Sequence, residues 1–268
     1  MKYSFLLFIE RLVNTVSRIF HVRVILLPGW YLHDKDISWR GDGLVTSHSV
    51  NFLEDAKFKD TIAEVRKGVD HSVYHEYRVY IGIKIAEAAA RVEGSCFVEC
   101  GVGEGILSSC ILRYVNPIQD MYLIDTYSGI DPTLVNASVT SRMGGDGEKL
   151  RQHALRSYKR SSLEDNIARF AAYPNVKLIE GSIPSVLAGR DFQRVSYLHI
   201  DMNNPTPEVA ALEFFWPRLS IPGYVLLDDY GSKGMVDQKR AIDACCQRLG
   251  IPQAISLPTG QGLLLKSH

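Results

Sequence analysis

Short apolar runs rich in β-branched and aromatic residues alternate along most of this chain with longer stretches of helical period. The runs are Phe97-Val98, Met121–Ile124, Val176–Ile179, Val195–Ile200 and Tyr224–Leu227, and acidic or glycine residues follow them. Between them, apolar positions fall at helical spacing. The first such stretch runs from His71 through Tyr74, Tyr77, Ile81, Ile85 and Ala88-Ala89-Ala90 to about Gly94. Further helices are predicted from Ile106, over Ser162–Phe170, through Ala210–Phe215 and over Gln238–Arg248. The chain closes with Ala254–Leu257, a Pro258-Thr259-Gly260 turn and Gly262–Lys266, which reads as a hairpin. Strand–helix alternation predicts a parallel, doubly wound α/β sheet. With the terminal pair, a Rossmann-like sheet of seven strands is expected, ending in an antiparallel hairpin.

The first 70 residues depart from this rhythm and are expected to form an N-terminal extension, leaving 71–268 as the main domain. Leu6, Ile9, Val13, Val16 and Phe20 recur at helical spacing, with Arg11, Arg18 and Arg23 between them. A helix packed on the main domain or on a second subunit accounts for this pattern, and an interfacial helix on a membrane surface is the alternative. Glu10 and Arg11 interrupt the apolar run after Phe5 and no small-residue cleavage site follows, so neither a secretory signal nor a spanning helix is expected. Residues 31–70 are mixed and polar. The Gly-, Ser- and Thr-rich stretch from Ser128 to Gly147 exceeds an ordinary connection and is a candidate lid.

Composition narrows the function. Lys+Arg and Asp+Glu both number 30, so the formal charge is zero, which argues against nucleic acid as the partner. The five cysteines, Cys96, Cys100, Cys110, Cys245 and Cys246, form no Cys-x-x-Cys. They predict small buried residues in a reducing, cytoplasmic setting without zinc.

The chemistry gathers where strands end. Glu99-Cys100-Gly101-Val102-Gly103-Glu104-Gly105 follows the first strand and precedes a helix. Such a strand, tight turn and helix start lets a nucleotide-like cofactor approach bare backbone. The spacing is Gly-x-Gly-x-Gly rather than the dinucleotide fingerprint. Asp125 ends the next strand, 20 residues after Gly105, and is placed to accept from two ribose hydroxyls; capping the following turn is its alternative role. Gly181 and Ser182, after the third strand, would border an adenine or form a plain loop. Asp201 ends the fourth strand and Asp228-Asp229 the fifth. Adjacent strands bring these carboxylates together, and such a cluster repels itself unless a cation such as Mg²⁺ neutralises it. Asp229 capping the next turn is the other reading.

Glu99-Cys100-Gly101-x-Gly103-x-Gly105 resembles the first motif of class I S-adenosylmethionine (SAM) methyltransferases, whose sheet also ends in an antiparallel strand. Several further runs resemble the macrocin O-methyltransferase family: His199-Ile200-Asp201-Met202-Asn203, Pro207–Glu213, Trp216–Leu219, Pro222–Gly231 and Ile124-Asp125-Thr126-Tyr127-Ser128-Gly129. The resemblance covers roughly residues 71–266, and Asp228-Asp229-Tyr230-Gly231 is its most specific part. It implies SAM held by Glu99, Gly101, Gly103, Gly105, Asp125, Thr126, Gly181, Ser182 and Asp201. It also implies Mg²⁺ on Asp201, Asp228 and Asp229, and transfer of a methyl group to a hydroxyl of a sugar or sugar-containing metabolite. A homo-oligomer without membrane contact is expected.

One position departs from the family, which has Asp-x-Asp at the fourth strand with its second Asp as base. Here the residue is Asn203, and an amide does not accept the proton usefully at neutral pH. His199 is expected to be packed, and the His71/His75 pair to be solvated or to face the lid. His153 lies near the lid, and Tyr77 and Arg78 are placed to close over the cofactor. Base-flipping chemistry is disfavoured, because Asp201-Met202-Asn203-Asn204 lacks the aromatic that grips a flipped base. A SAM-binding protein of this fold with lost or changed activity is the remaining alternative.

Overall fold

The computed structural model describes residues 37–41, 43–69, 75–135, 139, 161–192 and 194–268. The predicted N-terminal helix, His71, Tyr74, His153 and most of the stretch from Ser128 to Gly147 lie outside them. The chain divides into two compact units, Met1–Asn51 and Phe52–His268. The first contains a small antiparallel pair, β1 (Trp39–Gly41) and β2 (Leu44–Thr46).

The second unit carries the sheet. Its strands are β3 (Ser95–Cys100), β4 (Met121–Asp125), β5 (Val176–Glu180), β6 (Arg194–Ile200), β7 (Leu219–Leu227), β8 (Ile255–Ser256) and β9 (Gly262–Lys266). They lie in the order β5-β4-β3-β6-β7-β9-β8. The pairs from β5 to β7 are parallel, and β9 runs antiparallel to both β7 and β8. The expected parallel sheet with a terminal antiparallel hairpin is therefore present. The order turns outward in both directions from β3 and β6, the kind of switch point where doubly wound sheets bind ligands.

Helices α1 (Ala56–Arg66), α2 (Glu76–Ala89), α3 (Ile106–Tyr114), α4 (Leu163–Phe170), α5 (Pro205–Phe215) and α6 (Val236–Leu249) complete the unit among the described residues. Two apolar cores result. Phe58, Ile62 and Val65 of α1 join Ile83, Phe97, Ile111, Leu123 and Tyr197 in one of them. The other gathers Val98, Leu198, Ile200, Leu212, Phe215 and Ile242. The alternation Phe97/Val98 and Tyr197/Leu198 sends successive side chains to opposite cores, as a strand covered on both faces requires. All five cysteines are free and buried: Cys96, Cys100, Cys245 and Cys246 in one core, Cys110 in the other.

Local signals start the helices that frame the site. Ser162 and Asp165 form a reciprocal capping box at α4. Asn204 accepts from the Thr206 amide at 3.2 Å, and Pro205 occupies the first turn of α5. No described helix is long and apolar enough to cross a membrane.

Candidate active site at the carboxyl edge of the sheet

Register brings the chemistry to one edge. Cys100 pairs with Ile124 and Ile200, and Ile200 pairs with Leu227. One residue further on, the amides of Gly101, Asp201 and Asp228 still bond to neighbouring strands, at 2.9, 2.8 and 3.0 Å. The Gly181 amide likewise donates to the Asp125 carbonyl at 2.9 Å. These residues are thus anchored to rigid strand ends.

The three glycines of the turn serve different ends. Gly101 has φ +88°, and a Cβ there would lie 1.8 Å from the Asp201 carbonyl oxygen. Its glycine is required by the close approach of the backbone at the ends of the paired strands β3 and β6, whereas the sequence suggested close approach of a cofactor. Gly103, at φ +53°, has no atom of the described residues within 4 Å of a Cβ, so open space lies over the turn there among those residues. At Gly105 a Cβ would press on the Phe170 ring of α4 at 2.7 Å.

Asp125 braces this turn. Its Oδ2 accepts from the amides of Val102 at 2.6 Å and Gly103 at 3.0 Å, and its Oδ1 from that of Tyr127 at 2.7 Å. Among the two roles open to it, the backbone-capping one is seen in this conformation. The Thr126 hydroxyl donates to the Gly129 carbonyl and closes a local turn. Gly181 is bounded by Val186, whose Cγ2 would be 2.6 Å from an added Cβ. The Ser182 hydroxyl interacts with Asp131 and holds that carboxyl below its usual range, helped by Thr133.

Asp201, Asp228 and Asp229 each offer a carboxylate oxygen, and these atoms lie within 4.8 Å of one another. Burial first, then Asp228 and Asp229, push the Asp201 carboxyl well up. Burial and Asp228 also raise Asp229. Burial would raise Asp228 as well, but His199, Arg78 and, less strongly, His75 outweigh it and hold this carboxyl down. Three half-buried carboxylate oxygens this close together fit a hard divalent cation such as Mg²⁺. Asp229 also accepts from the Ser232 hydroxyl at 3.0 Å, so the predicted capping role and a ligand role are compatible.

Several contacts were not anticipated. Arg78, placed by the sequence to close over the cofactor, meets the acid cluster: its Nη1 donates to Asp228 Oδ2 at 2.6 Å and its Nη2 lies 3.5 Å from Asp229 Oδ1. This contact follows from its place in the first turn of α2, beside the end of β7. His199 is buried as expected, and it stands between two carboxylates. Its Nδ1 lies 3.0 Å from Glu99 Oε1, while its Nε2 is 3.9 Å from Asp228 Oδ1, an ion-pair distance too long for a hydrogen bond. Burial would lower its pKa, yet Asp228 and Glu99 prevail and push it up to about 10. Glu99 therefore reaches toward the acid cluster through His199, and its Oε2 is buried without a hydrogen-bond partner among the described residues. Asn203 sits at φ +54°, a left-handed conformation that asparagine tolerates, and its Nδ2 donates to Asp201 Oδ1 at 2.9 Å. Glu208 on α5 is buried and accepts from the Met202 amide and from Gln238 Nε2 at 2.7 Å. Burial pushes its carboxyl up to about 8.

A doubly wound sheet whose last strand lies antiparallel between two parallel neighbours, with a glycine turn and clustered acids at its carboxyl edge, defines the class I methyltransferase fold. Residues 84–256 match the Macrocin-O-methyltransferase (TylF) family, and the chain belongs to that family. A curated relative from Streptomyces olivaceus, 8-demethyl-8-(2,3-dimethoxy-alpha-L-rhamnosyl)-tetracenomycin-C 4'-O-methyltransferase, is 26% identical over 62% of this chain and 63% of its own length. The solved O-methyltransferase NovP is similar over 74% of this chain and 83% of that one, with 22% identity and a TM-score of 0.57. TomG from Streptomyces achromogenes, solved in complex with SAM, is 14% identical over 82% of this chain and 95% of that one, with a TM-score of 0.50. These two likenesses are of fold.

Proposed function

We propose that this chain transfers a methyl group from SAM to a hydroxyl of a sugar or sugar-containing metabolite, with Mg²⁺ at the acid cluster. One observation carries the reading: the glycine turn and the Asp201/Asp228/Asp229 cluster share one sheet edge, anchored by the same inter-strand hydrogen bonds. Family membership and the rhamnosyl O-methyltransferase relative support the sugar acceptor.

The open space over Gly103 would admit the cofactor, and Glu99 is placed at the root of the turn. Asp201, Asp228 and Asp229 would hold the cation, which when bound supplies charge that lowers the pKa of a neighbouring hydroxyl. The protein's larger contribution is positioning, because methyl transfer needs the attacking oxygen in line with the sulfonium carbon. Asn203 orients Asp201 and cannot take the proton.

One observation favours the alternative of a SAM-binding protein without transfer: Arg78 already neutralises part of the acid cluster. Calorimetry with SAM, followed by methyl-transfer assays over a panel of sugars with Mg²⁺ and with EDTA, separates the two. SAM binding with Mg²⁺-dependent transfer supports the enzyme, SAM binding with no transfer supports the alternative, and full turnover in EDTA removes the metal.

A further inference from the structure

We infer that Arg78 is an internal counter-ion that competes with a divalent cation for Asp228 and Asp229, holding the acid cluster together whenever no metal is bound. The inference rests on the metal reading of the cluster proposed above.

Arg78 is built into the site. Its side chain is 14% exposed, and besides both carboxylates its Nε donates to the Thr259 carbonyl at 3.2 Å. The turn carrying that carbonyl packs on the guanidinium, since a Cβ at Gly260 would lie 3.3 Å from Nη2. One fork thus joins the start of α2, the end of β7 and the β8–β9 turn. Arginine keeps its charge at every accessible pH, and its planar fork spans two carboxylates in a way lysine cannot.

A second group faces the same carboxylate from the other side. The His199 side chain is 4% exposed, and its Nε2 has no hydrogen-bond partner among the described residues while facing Asp228 Oδ1 at 3.9 Å. Asp228 therefore stands between cationic or donor groups on both oxygens: Arg78 on Oδ2, with His199 and Gln261 Nε2, the latter at 3.4 Å, on Oδ1. Asp201, in contrast, accepts on Oδ1 from the neutral amide of Asn203. An incoming cation would meet Asp201 readily, but must share or displace the guanidinium at Asp228 and Asp229. A like charge a few ångströms away weakens its binding, while the same charge stabilises the metal-free fold.

The test is Mg²⁺ titration by calorimetry of the full chain without SAM or acceptor, with thermal melting in EDTA and in saturating Mg²⁺. Arg78→Gln is expected to bind Mg²⁺ at least about tenfold more tightly than wild type. It should melt at lower temperature in EDTA and recover in Mg²⁺. Arg78→Lys, which keeps the charge but loses the fork, should fall between them. Should Arg78→Gln fail to fold in either buffer, the comparison of Arg78→Lys with wild type still decides, and equal affinities overturn the inference. Wild type and Arg78→Gln binding Mg²⁺ equally would overturn it while leaving the metal site intact. Failure of both to bind Mg²⁺ would overturn the inference through the metal reading itself.

Discussion

Gly101 and Gly103 stand two residues apart, yet their substitution should have opposite consequences. A Cβ at Gly101 collides with the backbone of Asp201, which flexible side chains cannot relieve. Gly101→Ala is expected to destabilise the fold by more than about 3 kcal/mol, with loss of SAM binding following from that. Gly103→Ala meets no atom of the described residues within 4 Å and carries only the left-handed backbone cost of roughly 1 kcal/mol. It should fold, and lose SAM affinity because its methyl enters the open space. Urea denaturation and calorimetry on both variants check this, and a well-folded Gly101→Ala would remove the backbone-contact explanation. At Asn203, replacement by Asp removes the donor to Asp201 and sets a second carboxylate beside one whose pKa is already raised. The left-handed backbone accepts Asp about as well as Asn, so the effect is electrostatic. Asn203→Asp should lose on the order of 1–3 kcal/mol in EDTA and regain much of it in Mg²⁺. Equal stability in EDTA would mean that the Asn203–Asp201 contact carries no weight.

At the scale of elements, α5 holds a carboxyl whose ionisation the fold resists. Glu208 titrates at about 8 against an ordinary 4.5, because burial outweighs its bonds to Gln238 and the Met202 amide. Between those values the folded chain keeps a proton that the unfolded chain has lost. Stability therefore falls as pH rises from about 4.5 to about 8, by an amount on the order of 5 kcal/mol from this group. Glu208→Gln should be less sensitive to pH over that window, measured by urea denaturation at pH 5 and pH 8 in EDTA. An unchanged slope would show that Glu208 does not titrate there. Helix α1 makes a separate point. Phe58, Ile62 and Val65 sit at helical spacing and are buried with Phe97 and Ile111, though their surroundings in sequence are polar. Phe58→Ala should cost about 3–5 kcal/mol, and a loss below 1 kcal/mol would mean that α1 is not part of the core.

At the scale of the whole molecule, the sheet was legible because its signals are local. A strand covered on both faces reads as an apolar run, and the residue that ends it reads as site chemistry, so Glu99, Asp125, Asp201 and Asp228 could be placed on one edge from spacing alone. Pairings across long separations were not legible. Nothing in the sequence near Arg78 announces Asp228, 150 positions away, and nothing near Glu99 announces His199, 100 positions away; only the register of β3 with β6 brings that second pair together. The role of Gly101 was hidden for the same reason, since its neighbour belongs to another strand. Helix α1 was not read, because the polar residues around Phe58, Ile62 and Val65 hide its apolar face.

The buried cysteines give the molecule a set of built-in clocks. Burial drives the thiols of Cys96 and Cys110 up to about 12 and that of Cys245 to about 11, and raises Cys100 and Cys246 too. Only a thiolate reacts quickly with an alkylating reagent, so none of the five should be modified while the fold is closed. Cys96 and Cys100 report on β3, Cys110 on α3, and Cys245 and Cys246 on α6. The order in which these positions take up label under partial denaturation would therefore record which face of the sheet opens first, without a single engineered probe.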